Sequence, residues 1–495
     1  MTIPCCQAET AAFLRELTGA APVETHISAV FVGKHEALKL KKAVKLPFLD
    51  FSNLTTRAAM ARRELELNHV AAPEIYRGVQ AIVRGPHGLH LAPDGADGAI
   101  DYVVRMARLD PRDFLDEIAK NGGLNTKLLD ALGDAVATLH AKLPAIHGWD
   151  SPGGMQWIIE GNATAAKSAG LPEYEVQAWL SCTLNALRSI ADSLRSRAAS
   201  GYVRRAHGDL HLGNLCLFKG LPTAFDMLEF DEALATVDLG YDLAFLLMDL
   251  EFHAGRVAAN RVLNRYVART GDYGLLAGLP CFLSTRAMVR AHVQASRGKN
   301  QEARRYLDMA MAALRPARAT LLAVGGLQGT GKTTLARAVA PGLGRAPGAL
   351  IVRSDEIRKR LHGVAPEQTL PHNAYGDAAN RATNAALLAA VEEALRGGQS
   401  VIADSTFLNP DLRADIEAVA HRLGLEFFGI WLETDLATLV ARVTARTGDA
   451  SDAGPDVLRQ AARVDTGEVT WRRLAANDLA ETARQVSALT RVPPP

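Results

Sequence analysis

The stretch Gly326-Leu-Gln-Gly329-Thr330-Gly331-Lys332-Thr333 fits the pattern G-x-x-x-x-G-K-[ST] at every fixed position. Glycines at these places let the backbone turn tightly, so that its N–H groups converge on a phosphate. A helix starting at about Lys332 adds the positive end of its dipole. In this pattern Lys332 meets the β- and γ-phosphates of a nucleotide and the Thr333 hydroxyl holds Mg2+. Thr330 and Thr334 join the glycines as expected nucleotide contacts. A second grouping lies far upstream, His207-Gly-Asp209-Leu-His-Leu-Gly-Asn214, with Phe225-Asp226 after a short intervening segment. Its spacing suits phosphoryl transfer: one carboxylate, Asp209, orients an attacking hydroxyl, while Asn214 and Asp226 hold Mg2+. A metal pair made of His207 and His211 is the competing reading, but the Asp/Asn/Asp set already accounts for the loop.

Acidic positions after the phosphate loop narrow its chemistry. Val352-Arg-Ser-Asp355-Glu-Ile-Arg358 places a carboxylate at the expected end of a second strand, the sheet edge that faces the ligand crevice in a doubly wound fold. Asp355 is therefore a candidate acceptor of the hydroxyl proton, and Arg358 a candidate holder of an anionic part of the substrate. Asp355 as a plain helix cap is the alternative, and the two roles are compatible. Ser400-Val-Ile-Ala-Asp404 is an apolar run ending in Asp, the pattern that supports Mg2+ beside a phosphate loop. Arg442 and Arg446 stand four apart and share a helix face. They suit a lid that neutralises transition-state charge, or simply two exposed arginines. Asp231, Glu232, Asp238 and Asp242, downstream of Asp226, read as surface charge and helix caps.

These residues need two different scaffolds. From about 24 to 105 the pattern is β-rich: Ser28–Val32 and Glu36–Lys41 read as a hairpin around Gly33-Lys34, and Val79–Arg84, Leu89–Leu91 and Ile100–Met106 continue it. One helix interrupts, around Thr56–Asn68. From about 111 to 316 the spacing is helical, as in Leu128, Leu129, Leu132, Val136 and Leu139. Leu215–Phe218 and Thr223–Phe225 read as a hairpin around Lys219-Gly220. From near Ala319, short apolar runs (Leu321–Gly325, Leu350–Asp355, Ser400–Asp404, Phe427–Glu433) alternate with helical segments, which predicts parallel βαβ units. The expected domains are 1–316, with a β-rich lobe over 24–106 and a helical lobe over 111–316, and 320–490, joined by a short linker near 315–320.

Composition limits the classes. The chain has 495 residues, 55 Lys+Arg against 54 Asp+Glu, and 48% hydrophobic residues. That is ordinary globular composition, with no basic excess to track a nucleic-acid backbone or a membrane surface. The longest apolar runs, such as Leu243–Met248, fall far short of the ~20 residues that span a bilayer. The N-terminus has no signal-peptide pattern, and five scattered cysteines fit a reduced interior, so a cytoplasmic location is expected.

On His207-Gly-Asp209-x-x-x-x-Asn214 and the following Asp226, residues 25–300 resemble the aminoglycoside phosphotransferase/choline-kinase superfamily. The resemblance implies an α+β protein-kinase-like fold, with Asp209 as base and Asn214 and Asp226 as Mg2+ ligands. It also implies an ATP-binding lysine on the strand Ala37-Leu-Lys39-Leu-Lys41, its ion-pair partner Glu64 on the next helix, and a hinge at Tyr102–Met106. Lys39 is the choice for the lysine; Lys41 lies on the same strand face and stays open. No G-x-G-x-x-G occurs near 26–35, a departure from protein kinases.

On the phosphate loop, Ser354-Asp355-x-x-Arg358, Asp404-Ser-Thr406-Phe407 and Arg446-Thr-Gly-Asp449-Ala-Ser451-Asp452-Ala453, residues 320–490 resemble small P-loop kinases of the zeta-toxin/polynucleotide-kinase/gluconate-kinase type, often grouped as AAA-type ATP-binding domains. That implies an α/β P-loop NTPase fold with a parallel sheet, Asp355 as the hydroxyl-activating carboxylate and an Arg446-bearing lid. Both together resemble fused aminoglycoside phosphotransferase-like/ATP-binding proteins. The expected function is transfer of the γ-phosphoryl of ATP to small-molecule hydroxyls at two Mg2+-dependent sites. The alternative is a nucleotide-regulated signalling or toxin-like protein with one catalytic centre.

Overall fold

In a computed structural model of the chain, residues 2–46, 49–445 and 450–490 are described. They pack as two units: the described residues within 1–154 with 198–246, and those within 155–197 with 247–495. This division does not follow the boundary at 316–320. The helices Arg256–Thr270, Leu275–Ser296 and Asn300–Ala313, which sequence reading groups with the N-terminal half, pack in the unit that holds the phosphate loop.

The first unit is built on an antiparallel sheet of β1 (Val23–Glu24), β2 (Ser28–Val32), β3 (Glu36–Lys41), β4 (Tyr76–Gly85), β5 (Gly88–Pro93) and β6 (Ala99–Ala107). Their spatial order is β1-β2-β3-β6-β4-β5. The hairpin at Gly33-Lys34 closes with Val32 opposite Ala37. Alternation along β3 sends successive side chains to opposite faces. Leu38 and Leu40 enter one core with Ala11, Leu14, Phe31 and Val103. Ala37 enters the other, with Ala61, Tyr76, Val104 and Phe225. Lys39 and Lys41 therefore share the second face, towards the helix α2 (Leu54–His69), which comes after the short N-terminal helix α1 (Ala8–Thr18). Helix α2 starts where Asn53 accepts a hydrogen bond from Thr56 N at 2.7 Å, a side-chain N-cap. Beyond the sheet, the hairpin of β7 (Leu215–Phe218) and β8 (Leu221–Ala224) turns through Lys219 and Gly220, both at positive φ.

The second unit holds a five-stranded, wholly parallel sheet: β9 (Thr320–Gly325), β10 (Leu350–Arg353), β11 (Val401–Asp404), β12 (Glu426–Glu433) and β13 (Arg472–Ala475), in the order β10-β11-β9-β12-β13. All six residues of the central strand are buried, as a parallel strand covered on both faces requires. Leu322 and Val324 pack with Leu335, Ala336 and Val339 of the following helix α3 (Lys332–Val339), with Ile430 and Leu432 behind. β10 stops at Arg353, short of the expected Asp355. Asp355 therefore lies in the first turn of α4 (Ser354–Leu361) rather than at a strand end. Among the described residues no helix is long and apolar enough to cross a membrane.

Candidate active sites

In the first unit, β3 and α2 bring charges together in a largely buried cluster. Lys39 Nζ donates to Glu64 Oε1 at 2.6 Å and to Asp226 Oδ1 at 2.5 Å. Burial opposes the charge on Glu64, yet Lys39 and Lys41 hold its carboxyl at about 2. Burial likewise works against protonated Lys39, but Asp226 and Glu64 raise it well above an ordinary lysine. Lys41, the open alternative, is engaged as well: it pairs with Glu64 Oε2 at 2.5 Å and with Glu229.

The His207–Asn214 loop arrives from the other side. Asn214 Nδ2 donates to Asp209 Oδ2 at 2.9 Å, so the amide oxygen, an acceptor, is the atom not used in this bond. Phe225 N donates to Asn214 O at 3.1 Å, and this ties the loop to the residue before Asp226. The Asp209 and Asp226 side chains are each 40% exposed, so both carboxylates can be reached from solution, whereas Glu64 is fully buried. His207 is also buried; burial pushes its pKa down, and its Nε2 donates to Phe225 O at 2.9 Å. That is a structural role. His207 Nδ1 accepts from Asp209 N at 3.3 Å, so both ring nitrogens of His207 are engaged within the protein.

Several contributors are not visible in the sequence. Asp242, which by sequence reads as surface charge or a cap, is fully buried. It accepts from His207 N at 3.1 Å and Gly208 N at 2.8 Å, with His140 Nε2 at 3.1 Å. Asp231 does cap a helix, through Ala233 N and Leu234 N. Tyr76 and Asn68 fix the Asp226 turn: Asp226 N donates to Tyr76 OH at 3.0 Å and Met227 N to Asn68 Oδ1 at 2.9 Å. Asp226 itself has φ +62°, a conformation that these contacts impose on a non-glycine residue. Asn68 lies one turn after Glu64, which is the one sequence signal that points its way.

In the second unit, the phosphate loop joins β9 to α3. Gly326 has φ +129°, and a Cβ there would stand 2.5 Å from Leu432 O, so the position excludes other residues. Gly329 and Gly331 are at φ +87° and +90°. Lys332 Nζ donates to Gly326 O at 3.0 Å and Leu327 O at 2.9 Å, curled over the loop it belongs to. Thr330 is buried and donates to Leu327 O at 2.8 Å; Thr334 is exposed on the helix. Thr333 Oγ1 donates to Asp404 Oδ2 at 2.6 Å, and Arg353 Nε stands 3.4 Å from the same oxygen.

Asp355 and Arg358 stand one turn apart on α4. Arg358 Nη1 donates to Ala374 O at 2.9 Å, and its guanidinium lies 5.0 Å from the Tyr375 ring centre. Tyr375 OH donates in turn to Asp452 at 2.5 Å, and Asp452 also accepts from the buried Lys359 at 2.6 Å. Burial raises the Tyr375 hydroxyl's pKa, with Asp452 adding to it. Arg442 reaches Gly329 O at 3.3 Å and Ala476 O at 3.2 Å. Arg446 and Asp449 lie outside the described residues. A cavity of about 660 Å³ opens beside the loop, lined by Leu327, Thr330, Trp431, Thr434, Leu439 and Asn477 among others.

Residues 321–465 match the AAA domain family. An uncharacterized protein of Mycobacterium tuberculosis strain H37Rv is 29% identical over 473 residues, 90% of each chain. Among solved structures, the APS kinase CysC of Mycobacterium tuberculosis, in complex with AMPPNP and APS, shares 19% identity (TM-score 0.27) over 35% of this chain and 98% of its own. The aminoglycoside phosphotransferase APH(4)-Ia shares 13% identity (TM-score 0.40) over 62% of this chain and 98% of its own. The first unit pairs a strand-borne lysine with a helix-borne glutamate, and the second carries the AAA-domain match on a parallel sheet with a phosphate loop.

Proposed function

We propose that the protein is an ATP-dependent phosphotransferase with two nucleotide centres, each moving the γ-phosphoryl of ATP to a small-molecule hydroxyl. The observation that carries this reading is the continuous network Glu64–Lys39–Asp226 beside Asp209–Asn214, in a chain that also keeps Thr333 on Asp404 at a complete phosphate loop. Positioning and charge are what phosphoryl transfer asks of a protein, and these residues supply both.

In the first centre Lys39, oriented by Glu64, holds the nucleotide phosphates. Asp209 accepts the proton of the acceptor hydroxyl as its oxygen bonds to the γ-phosphorus. The bond from that phosphorus to the β–γ bridging oxygen breaks, and ADP leaves. In the second centre the backbone of 326–333 and Lys332 hold the phosphates, Asp355 takes the hydroxyl proton, and Arg358 binds an anionic group of the acceptor.

The donor sets fit Mg2+: Asn214 with Asp226, and Thr333 with Asp404, offer the amide, carboxylate and hydroxyl oxygens that a hard cation takes. When bound, the ion neutralises charge on the β- and γ-phosphates. The near-equal charge totals speak for a small acceptor rather than a polynucleotide. The test is transfer from γ-labelled ATP, with Asp209→Asn and Asp355→Asn each abolishing its own labelled product.

A further inference from the structure

The expected lysine–glutamate pair is only part of a longer line of charge. Along it stand Asp226, Lys39, Glu64, Lys41 and Glu229, three carboxylates alternating with two ammonium groups. Glu64, Lys41 and Glu229 are all buried. Glu64 is gripped by both oxygens, Oε1 by Lys39 at 2.6 Å and Oε2 by Lys41 at 2.5 Å. Lys41 is matched on its far side by Glu229, three residues beyond Asp226.

This arrangement separates two tasks. Lys39 is shared between Glu64 and Asp226, the exposed carboxylate at the mouth of the site. Phosphates arriving there draw on Lys39 and loosen its hold on Asp226. Lys41 faces inward, 1% exposed, and has no such competitor. It therefore keeps Glu64, and with it α2, in place whichever partner Lys39 has. The backbone supports the same join: Asn68 Nδ2 donates to Glu64 O at 2.8 Å while Asn68 Oδ1 takes Met227 N.

We propose that Lys41 and Glu229 are positioning residues of the N-terminal centre: a second ion pair that holds Glu64 ready before nucleotide binds. The inference rests on the reading of that centre as a nucleotide site. It assigns the lysine–glutamate pair a permanent engaged state, without the helix movement that breaks such pairs in switchable kinases.

The test uses the full chain carrying Lys332→Ala, which silences the C-terminal loop, and titrates AMP-PNP with Mg2+. Lys41→Met/Glu229→Met removes both charges together, since taking Lys41 alone leaves Glu229 an uncompensated buried ion, whereas Lys41 without Glu229 still has Glu64. Glu229→Gln, which keeps shape, is the milder second variant. The expected result is at least tenfold weaker AMP-PNP binding for the double variant and about threefold to tenfold for Glu229→Gln. The KM for ATP rises in parallel, while turnover at saturating ATP stays within about twofold. A purely structural pair would lower the active fraction and leave KM alone. Wild-type affinity in the folded double variant overturns the proposal; if that variant does not fold, wild-type affinity in Glu229→Gln does so. Lys39→Met in the same background must lose binding. If the parent itself binds no AMP-PNP, the two-centre reading fails first and takes this inference with it.

Discussion

Asp242 offers a sharp test of how the N-terminal loop is held. Its carboxylate is fully buried and accepts from the backbone N–H groups of His207 and Gly208, with the His140 imidazole as a third neighbour. Replacing it with asparagine keeps the volume and one acceptor oxygen but turns an amide NH2 towards a donor. A buried donor left without a partner costs about 1–3 kcal/mol, so Asp242→Asn should weaken the closed loop by about 2–3 kcal/mol. Hydrogen exchange reads this locally: amides of a peptide spanning 206–214 should exchange roughly thirty- to a hundredfold faster, since about 1.4 kcal/mol is a factor of ten. Gly208 sits at φ +82° with the Ala235 methyl 3.0 Å from where its Cβ would be, so the position beside this anchor favours glycine. Asp209 is the next residue, and N-terminal phosphoryl transfer should fall at least tenfold. Unchanged exchange in that peptide, with unchanged transfer, would refute the anchoring role.

Two further perturbations address the second unit. Gly326→Ala places a Cβ 2.5 Å from Leu432 O at a φ that L-residues avoid, so C-terminal nucleotide binding should fall by more than tenfold while the N-terminal centre keeps its affinity; isothermal titration of the two sites checks this, and an unaffected C-terminal site contradicts the loop geometry. Burial pushes His292 down to about 4 from the ordinary 6.5. The unfolded chain therefore binds the extra proton first, and the second unit should lose stability as pH falls from 6.5 to 4, by on the order of 3 kcal/mol in total. His292→Gln should flatten that limb in thermal melts at pH 7, 5.5 and 4.5; an identical slope would show that another group is responsible.

The elements that hold the candidate residues are largely legible because each has strong local grammar. The glycine spacing of 326–331 demands a tight turn, and the strand–helix flanks follow from apolar runs of four to six residues with a 3.6-residue period between them. The hairpin at Lys219-Gly220 is legible for the same reason. What stays hidden is non-local. Asp355 reads as a strand end because the apolar run Leu350–Val352 gives no sign that the strand stops at Arg353 and a helix begins at Ser354. Asp242 reads as a cap, since nothing in one sequence says that a carboxylate in an apolar helix meets a loop 34 residues away. Lys39 and Lys41 cannot be separated by sequence because alternation puts both on one face; only the partners Asp226 and Glu229, 187 and 188 residues on, tell them apart. The grouping of residues 247–313 with the phosphate-loop unit depends on contacts such as Asn264 with Ile351 N at 2.6 Å, which composition does not reveal.

Two separate carboxylates activating two hydroxyls is the central claim, and one experiment meets it directly. Full-length protein, Asp209→Asn and Asp355→Asn should be incubated with γ-labelled ATP, Mg2+ and a small-metabolite extract, and the labelled products resolved. The wild type should give at least two labelled products, one lost in each variant, with AMP-PNP binding retained in both. Labelling that is indifferent to both substitutions, or labelled free phosphate as the only product, would contradict the claim.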